Sequence, residues 1–295
     1  MRLRRLRMGL ATVLGIAPRG FFIPYARAEL GAAERRRHAR IEAAFAALGD
    51  DFAALVDLLD RYRADLLAIA ADAAPPAPRW GQDWFPGLDA AALYALVRRH
   101  RPRRIVEIGS GHSTRFLARA VADGGFGCEI TAIDPEPRAT LDGLPVRHLR
   151  RPVQQVDGGA FAELAAGDML IVDSSHVLMP GSDVDVILND ILPGVAEGVL
   201  VHVHDVFLPD PYPAAWRWRG YNEQVALAPL VGIDGPYRPL FASRYARRAL
   251  GERLARSVVA ELPCPAGAIE SSLWLRKGAG GAPAAVRGDD RGRAR

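Results

Sequence analysis

The stretch Arg104-Ile-Val-Glu107-Ile108-Gly109-Ser110-Gly111-His-Ser113-Thr114-Arg-Phe116 decides the fold. Ile105, Val106 and Ile108 make a short apolar run of strand length, with Glu107 at its carboxyl end. Gly109-Ser110-Gly111 imposes a tight turn, and Ser113 or Thr114 suits the cap of a helix running through Phe116, Leu117 and Ala120. Glycines at such a turn admit a ligand where a Cβ would collide. A strand, a glycine turn and a helix N-terminus together are how doubly wound α/β folds hold a nucleotide-like ligand.

The chemistry of the turn narrows the ligand. A dinucleotide fingerprint has a third glycine for close helix–strand packing, and here that position is Thr114. A pyrophosphate would also meet repulsion from Glu107. Glu-x-Gly-x-Gly suits a ligand with a cationic or neutral centre near the loop and hydroxyls elsewhere. The next apolar run, Ile130–Ile133, ends on Asp134, placed to accept hydrogen bonds from ribose hydroxyls.

Glu107-Ile-Gly109-Ser110-Gly111 followed by Ile133-Asp134 resembles the first two motifs of class I S-adenosylmethionine-dependent methyltransferases. Asp168-Met-Leu-Ile-Val-Asp173-Ser-Ser-His176 and Gly198-Val-Leu-Val-His202-Val-His204-Asp205 continue in the same order. Over residues 88–277 the chain is most similar, within that superfamily, to the bacterial group of macrocin-type O-methyltransferases. The resemblance implies a Rossmann-like, doubly wound, mostly parallel seven-stranded sheet with helices on both faces and the last strand antiparallel. It implies S-adenosylmethionine as cofactor. Glu107, Gly109, Ser110, Gly111, Ser113, Asp134 and Asp173 would then line the cofactor site, with the adenine contact among Gln154, Gln155 and Asp157.

Composition agrees with an ordinary soluble globular protein. The 295 residues are 49% hydrophobic and 24% charged, enough for one large α/β domain with additions. The net charge of +4 sits mainly at the two ends and is almost wholly arginine, Lys277 being the only lysine. No basic–aromatic stripe or nucleic-acid motif accompanies it, so nucleic acid is not an expected partner. Cys128 and Cys264 form no C-x-x-C pair and no disulfide framework.

Four segments follow from the pattern: a basic and apolar N-terminal piece (1–28), a helical extension with a Pro-rich linker (29–79), the methyltransferase domain (80–277) and a Gly/Ala/Arg-rich tail expected to be disordered (278–295). In the first, Arg2, Arg4, Arg5 and Arg7 precede Met8–Ala17, and Ala26-Arg27-Ala28 resembles a signal cleavage site. Pro18–Tyr25 is a long interruption for a signal, and a cofactor made in the cytoplasm argues for retention there. A basic amphipathic segment on the inner face of a membrane fits better, with an ordinary docking helix as the alternative.

A helix from roughly Glu34 to Leu48 and another opening at Asp50-Asp51 are expected in the extension. Phe52, Leu55, Leu59, Tyr62, Leu66 and Ile69 make a stripe on the second. The stripe serves either to pack on the catalytic domain or to form a homodimer seam. Trp80-Gly-Gln-Asp-Trp84-Phe85 reads as a lid or an anchor. Asp89 is expected to cap a helix over Ala90–Arg99. Further expected elements are strands at 129–133, 146–149, 169–172, 199–203, 237–243 and 271–275. Helices are expected near 137–141, 161–165 and 184–191, an alternation that implies a parallel sheet.

Chemistry is expected at the carboxyl ends of the strands. There Asp173, His176, His204 and Asp205 are the catalytic candidates. Asp173, His204 and Asp205 can hold a divalent cation such as Mg²⁺ that activates a substrate hydroxyl. The family resemblance puts Asp173 at the first ligand position and His204-Asp205 at the next pair, with His204 standing where an acid is usual. Alternatively His176 or His204 acts as a metal-free base fixed by Asp173 or Asp205, or the cluster is purely structural. His202 reads as a hydrogen-bonded core residue.

Trp84, Tyr212, Trp216 and Tyr221 are the expected substrate wall, aromatic faces suited to a sugar, glycan or natural-product acceptor. A nicotinamide-dependent oxidoreductase and a non-catalytic adaptor at a membrane are the competing readings.

Overall fold

The computed structural model describes residues 2–20, 26–27 and 37–278. The chain divides at Arg36/Arg37 into two units. The smaller contributes helix α1 (Arg2–Val13). The expected tail beyond Gly278, the expected helix start at Glu34, Phe21–Tyr25 and Ala28 lie outside the described residues. Among the described residues no helix is long and apolar enough to cross a membrane.

The larger unit is built on a seven-stranded sheet. Its strands are β1 (Arg104–Ile108), β2 (Glu129–Ile133), β3 (Arg147–Leu149), β4 (Met169–Val172), β5 (Leu200–Val203), β6 (Tyr237–Ala242) and β7 (Leu273–Lys277). The order across the sheet is β3-β2-β1-β4-β5-β7-β6. β1 pairs in parallel with β2 and β4, and β4 with β5, while β7 runs antiparallel to both its neighbours. The Rossmann-like fold expected from the sequence is present, antiparallel strand included. The strand order reverses between β1 and β4, which is where such sheets open a crevice for ligands.

Before the sheet come α2 (Ala39–Ala47), α3 (Gly49–Arg61), α4 (Arg63–Leu67) and α5 (Gly87–His100). Of the predicted stripe, Phe52, Leu55, Leu59, Leu66 and Ile69 are buried. Phe52 packs on Phe45 and on Phe241 of β6, both at 5.6 Å between ring centres. The stripe therefore serves the core of this unit, and the extension from Arg37 onward belongs to the same unit as the sheet. The Pro-rich linker folds back on the helix end: Trp80 is buried and its indole N–H donates to the Leu66 carbonyl.

Several expected elements differ. The stripe lies on two helices, α3 and α4, divided at Tyr62, with Ile69 beyond them, and the helix expected at 161–165 is Gly159–Ala162. No helix forms at 137–141, where Pro135 and Pro137 remove backbone donors. That segment turns instead, held by the Arg115 guanidinium, which donates twice to the Thr140 carbonyl. The last strand starts at Leu273 rather than Ser271, because the Ser271 and Ser272 N–H groups donate to the Asp89 carboxylate. Asp89 itself does not cap α5. The N-cap is Pro86, and Asp89 is buried within the first turn.

The remaining helices are α6 (His112–Gly124), α7 (Gly159–Ala162), α8 (Asp183–Val186), which continues through a π turn into α9 (Leu192–Gly194), α10 (Glu223–Leu227), α11 (Ser243–Ala249) and α12 (Gly251–Arg256).

Candidate active site

At the end of β1 the glycine loop is fixed by the chain's own packing. Gly109 has φ +78°, and a Cβ there would collide with the Asp173 carbonyl. The loop after β1 and the loop after β4 thus touch backbone to backbone. A Cβ on Gly111 would meet no heavy atom closer than 3.6 Å, so the protein leaves space there. Asp134, half-buried after β2, accepts the Ser110 N–H at 2.7 Å and the Glu136 N–H at 2.7 Å.

Glu107 lies beneath this loop, fully buried. The Ser113 hydroxyl donates to Oε1 at 2.6 Å and the Thr114 hydroxyl to Oε2, while Thr114 Oγ1 accepts the Gly111 N–H at 2.9 Å. This explains the threonine at the third fingerprint position: it ties the acid to the turn. Glu107 and Ser113 are turned towards each other. Burial, assisted by the charges of Asp173 and Asp134, pushes the Glu107 carboxyl up to about 8 against the two donated hydrogen bonds.

The ends of β4 and β5 carry the second half of the site. These strands are neighbours in register, Val172 opposite Val203, so Asp173 and His204-Asp205 lie side by side. His176 reaches into the same place from a loop in which it takes φ +61°, and Asp205 takes φ +54°. Left-handed backbone at two non-glycine residues is strained and is held by the surrounding contacts. His176 Nε2 lies 3.2 Å from Asp173 Oδ1 and 3.4 Å from Asp205 Oδ2. His204 Nδ1 lies 3.6 Å from an oxygen of each. Asp173, His176 and Asp205 each offer a ligand atom within 4.8 Å of the others. The group that converges most tightly thus contains His176, with the expected ligand His204 beside it.

Both imidazoles are oriented from behind by buried carboxylates. His176 Nδ1 is 2.8 Å from Glu223 Oε2, and His204 Nε2 is 3.3 Å from Asp89 Oδ2. Each ring thereby turns its other nitrogen towards Asp173 and Asp205, an arrangement typical of metal-ligating histidines. Burial alone would lower both histidine pKa values. The surrounding carboxylates outweigh it and raise both well above the usual range. Burial would raise Asp173, yet the two histidines hold it well below its ordinary value. The acids around both imidazoles thus favour their protonated forms. His202, by contrast, is a core residue bonded at 2.8 Å to Ser272 Oγ, with its pKa pushed down to about 3 by burial and by His204.

The expected substrate wall is split in its placement, with Trp84 apart from the aromatic segment after β5. Tyr221 packs on the His176 ring at 4.6 Å, with Tyr212 and Trp216 each 6.0 Å from Tyr221 and packed on Phe207. The Arg219 guanidinium covers Trp216 at 4.0 Å. Trp84 is exposed and stacks under the Arg138 guanidinium at 4.1 Å, beside the glycine loop. Phe85 is the anchor of that segment, packed on His204 at 5.0 Å. Gln154 donates to the Gly181 carbonyl.

Sequence reading missed Asp89 and the role of Glu223. Asp89 carried a signal: α5 is buried on every side from Gly87 to Val97, so an acid in it needs a buried partner. Asn222 also belongs to the site's frame, bridging the Leu178 N–H and carbonyl to hold the His176 loop.

Among curated protein sequences none matches the chain. Several solved structures are remotely similar. An SAH-bound methyltransferase of Podospora anserina is 16% identical over 88% of this chain and 99% of its own, with a TM-score of 0.35. An O-methyltransferase of Bacillus cereus in complex with SAH is 17% identical over 51% of this chain and 66% of its own, at 0.29. The plantazolicin methyltransferase BpumL is 10% identical over 64% and 84%, at 0.40. Residues 106–206, from β1 to the turn that follows β5, match the family model of a methyltransferase domain. Residues 106–206 are thus similar to a methyltransferase domain, and they lie on a Rossmann-like sheet.

Proposed function

We propose that the chain is an S-adenosylmethionine-dependent O-methyltransferase for a hydroxylated small molecule, sugar or glycan, with a divalent cation held at the ends of β4 and β5. The observation that carries the reading is the convergence of Asp173, His176 and Asp205 directly beside the Gly109–Gly111 loop. The donor's sulfonium is already activated, so the protein's task is position and a more nucleophilic oxygen. The loop, with Asp134 for the ribose hydroxyls, seats the donor at the β1/β4 crevice. Backbone contact between Gly109 and Asp173 supports an acceptor site next to it.

Asp173, His176 and Asp205 would hold the cation, with His204 as a fourth donor. When bound, the cation lowers the pKa of an acceptor hydroxyl. Glu223 and Asp89 keep the imidazoles aimed inward, and Tyr221, Trp216 and Tyr212 wall the acceptor. Two carboxylates with imidazole nitrogen suit Mn²⁺, Fe²⁺ or Zn²⁺ better than Mg²⁺, which prefers an all-oxygen shell.

One contact supports a second reading. His176 lies within reach of both Asp173 and Asp205 and is fixed by Glu223, an arrangement that could serve a metal-free base only above its raised pKa, once its proton has passed to solvent.

Calorimetry separates these readings. The purified protein should bind S-adenosylmethionine and not NAD, and should bind Mn²⁺ with release of protons, since a cation displaces those on His176 and His204. NAD binding alone would overturn the assignment. Mn²⁺ binding that neither releases protons nor weakens in Asp173→Asn and Asp205→Asn would return the cluster to the metal-free base.

A further inference from the structure

The N-terminal unit carries a surface the methyltransferase reading does not use. Residues 1–28 contain Arg2, Arg4, Arg5, Arg7, Arg19 and Arg27 and no acidic residue. In α1 the apolar positions Leu3, Leu6, Leu10 and Val13 recur at three- and four-residue spacing, within a sector of roughly 100° at 3.6 residues per turn. They are exposed, at 79, 58, 49 and 58%. Leu14 and Ile16 extend the apolar edge and are exposed too, and Arg4 and Arg7 are exposed beside it.

We propose that α1 docks this protein on an anionic lipid surface, lying in the plane of the membrane with the Leu3–Val13 stripe among the acyl chains. Three arguments favour a bilayer over another occupant. The charge is of one sign, which complements lipid phosphates and repels a second copy of the same helix. The twelve residues of α1 make fewer than two heptads, well short of a self-sufficient coiled-coil seam. At about 1.5 Å per residue the helix is also far shorter than a bilayer core, so it lies on the membrane and does not cross it.

The test uses the full chain in flotation with neutral phosphatidylcholine vesicles and with vesicles half phosphatidylglycerol. Binding to the anionic vesicles should exceed binding to the neutral ones by at least about tenfold, and should fall steeply in high salt. Leu6→Glu/Leu10→Glu should abolish it, and Arg4→Glu/Arg7→Glu should remove the preference for anionic lipid. S-adenosylmethionine binding of both variants should stay unchanged, which separates this proposal from the catalytic reading. Absence of flotation, equal binding to both vesicles, or undiminished binding by the leucine variant would each overturn it. So would a change of oligomeric state in the leucine variant without vesicles, which would assign the stripe to self-association.

Discussion

Replacing Glu107 by glutamine should stabilise this protein at alkaline pH, and the size of the effect follows from its burial. The carboxyl moves from an ordinary 4.5 to about 8 in the folded chain. An acid whose pKa is raised on folding is held in its protonated form by the folded state. The unfolded chain loses that proton first, so stability falls as pH climbs from about 4.5 towards 8 and levels off beyond. The whole interval amounts to roughly 5 kcal/mol at 1.36 kcal/mol per pH unit. The part between pH 6 and pH 9 is roughly 2–3 kcal/mol, about 5 °C in Tm for a unit of this size. Glutamine keeps the local contacts: its amide oxygen accepts from Thr114 and its amide nitrogen donates to Ser113, the two hydroxyls that hold Glu107 now. Thermal melts of both proteins across pH 6 to 9 are the assay. The wild type should lose Tm relative to Glu107→Gln as pH rises. Parallel curves would refute the reasoning, because they would mean that Glu107 is already ionised at neutrality and that two hydroxyl donors fully offset its burial.

Asp89→Ala should destabilise by about 3–5 kcal/mol, since it strands the Ser271 and Ser272 N–H groups and leaves His204 without its rear partner; urea unfolding measures this. Glu223→Gln should lower the pKa of His176, whose protonated form Glu223 favours, and an NMR titration of the imidazole should show the fall. Gly109→Ala should cost several kcal/mol or prevent folding, because the new Cβ meets backbone rather than a movable side chain. Gly111→Ala, which has room, should fold normally yet lose about tenfold or more in S-adenosylmethionine affinity by calorimetry.

What the sequence showed and what it hid divide along a physical line. Strands β1, β2 and β4 were legible because a parallel, doubly buried strand is an apolar run with a polar residue just past its end. The same rule exposed Asp134, Asp173 and His204-Asp205, whose neighbourhood depends only on strand order. His176 and Glu223 stand 47 residues apart, joined through loops, and their pairing depends on a left-handed turn that no periodicity announces. Asp89 failed for the opposite reason. An acid in a first helical turn has a common local explanation, and that explanation concealed a tertiary one.

The backbone donors to Asp89 lie 182 and 183 residues further along the chain. Asp205 likewise receives its hydrogen bond from the Ser271 hydroxyl, at the entrance to β7. The frame of the site is therefore closed by residues far along the chain, just before β7. A nascent chain that has exposed β1 through β5 possesses every residue expected to meet the methyl donor, and still has a buried acid with its backbone donors missing. The residues that lead into the antiparallel strand are thus also the clasp on the two acids that frame the site.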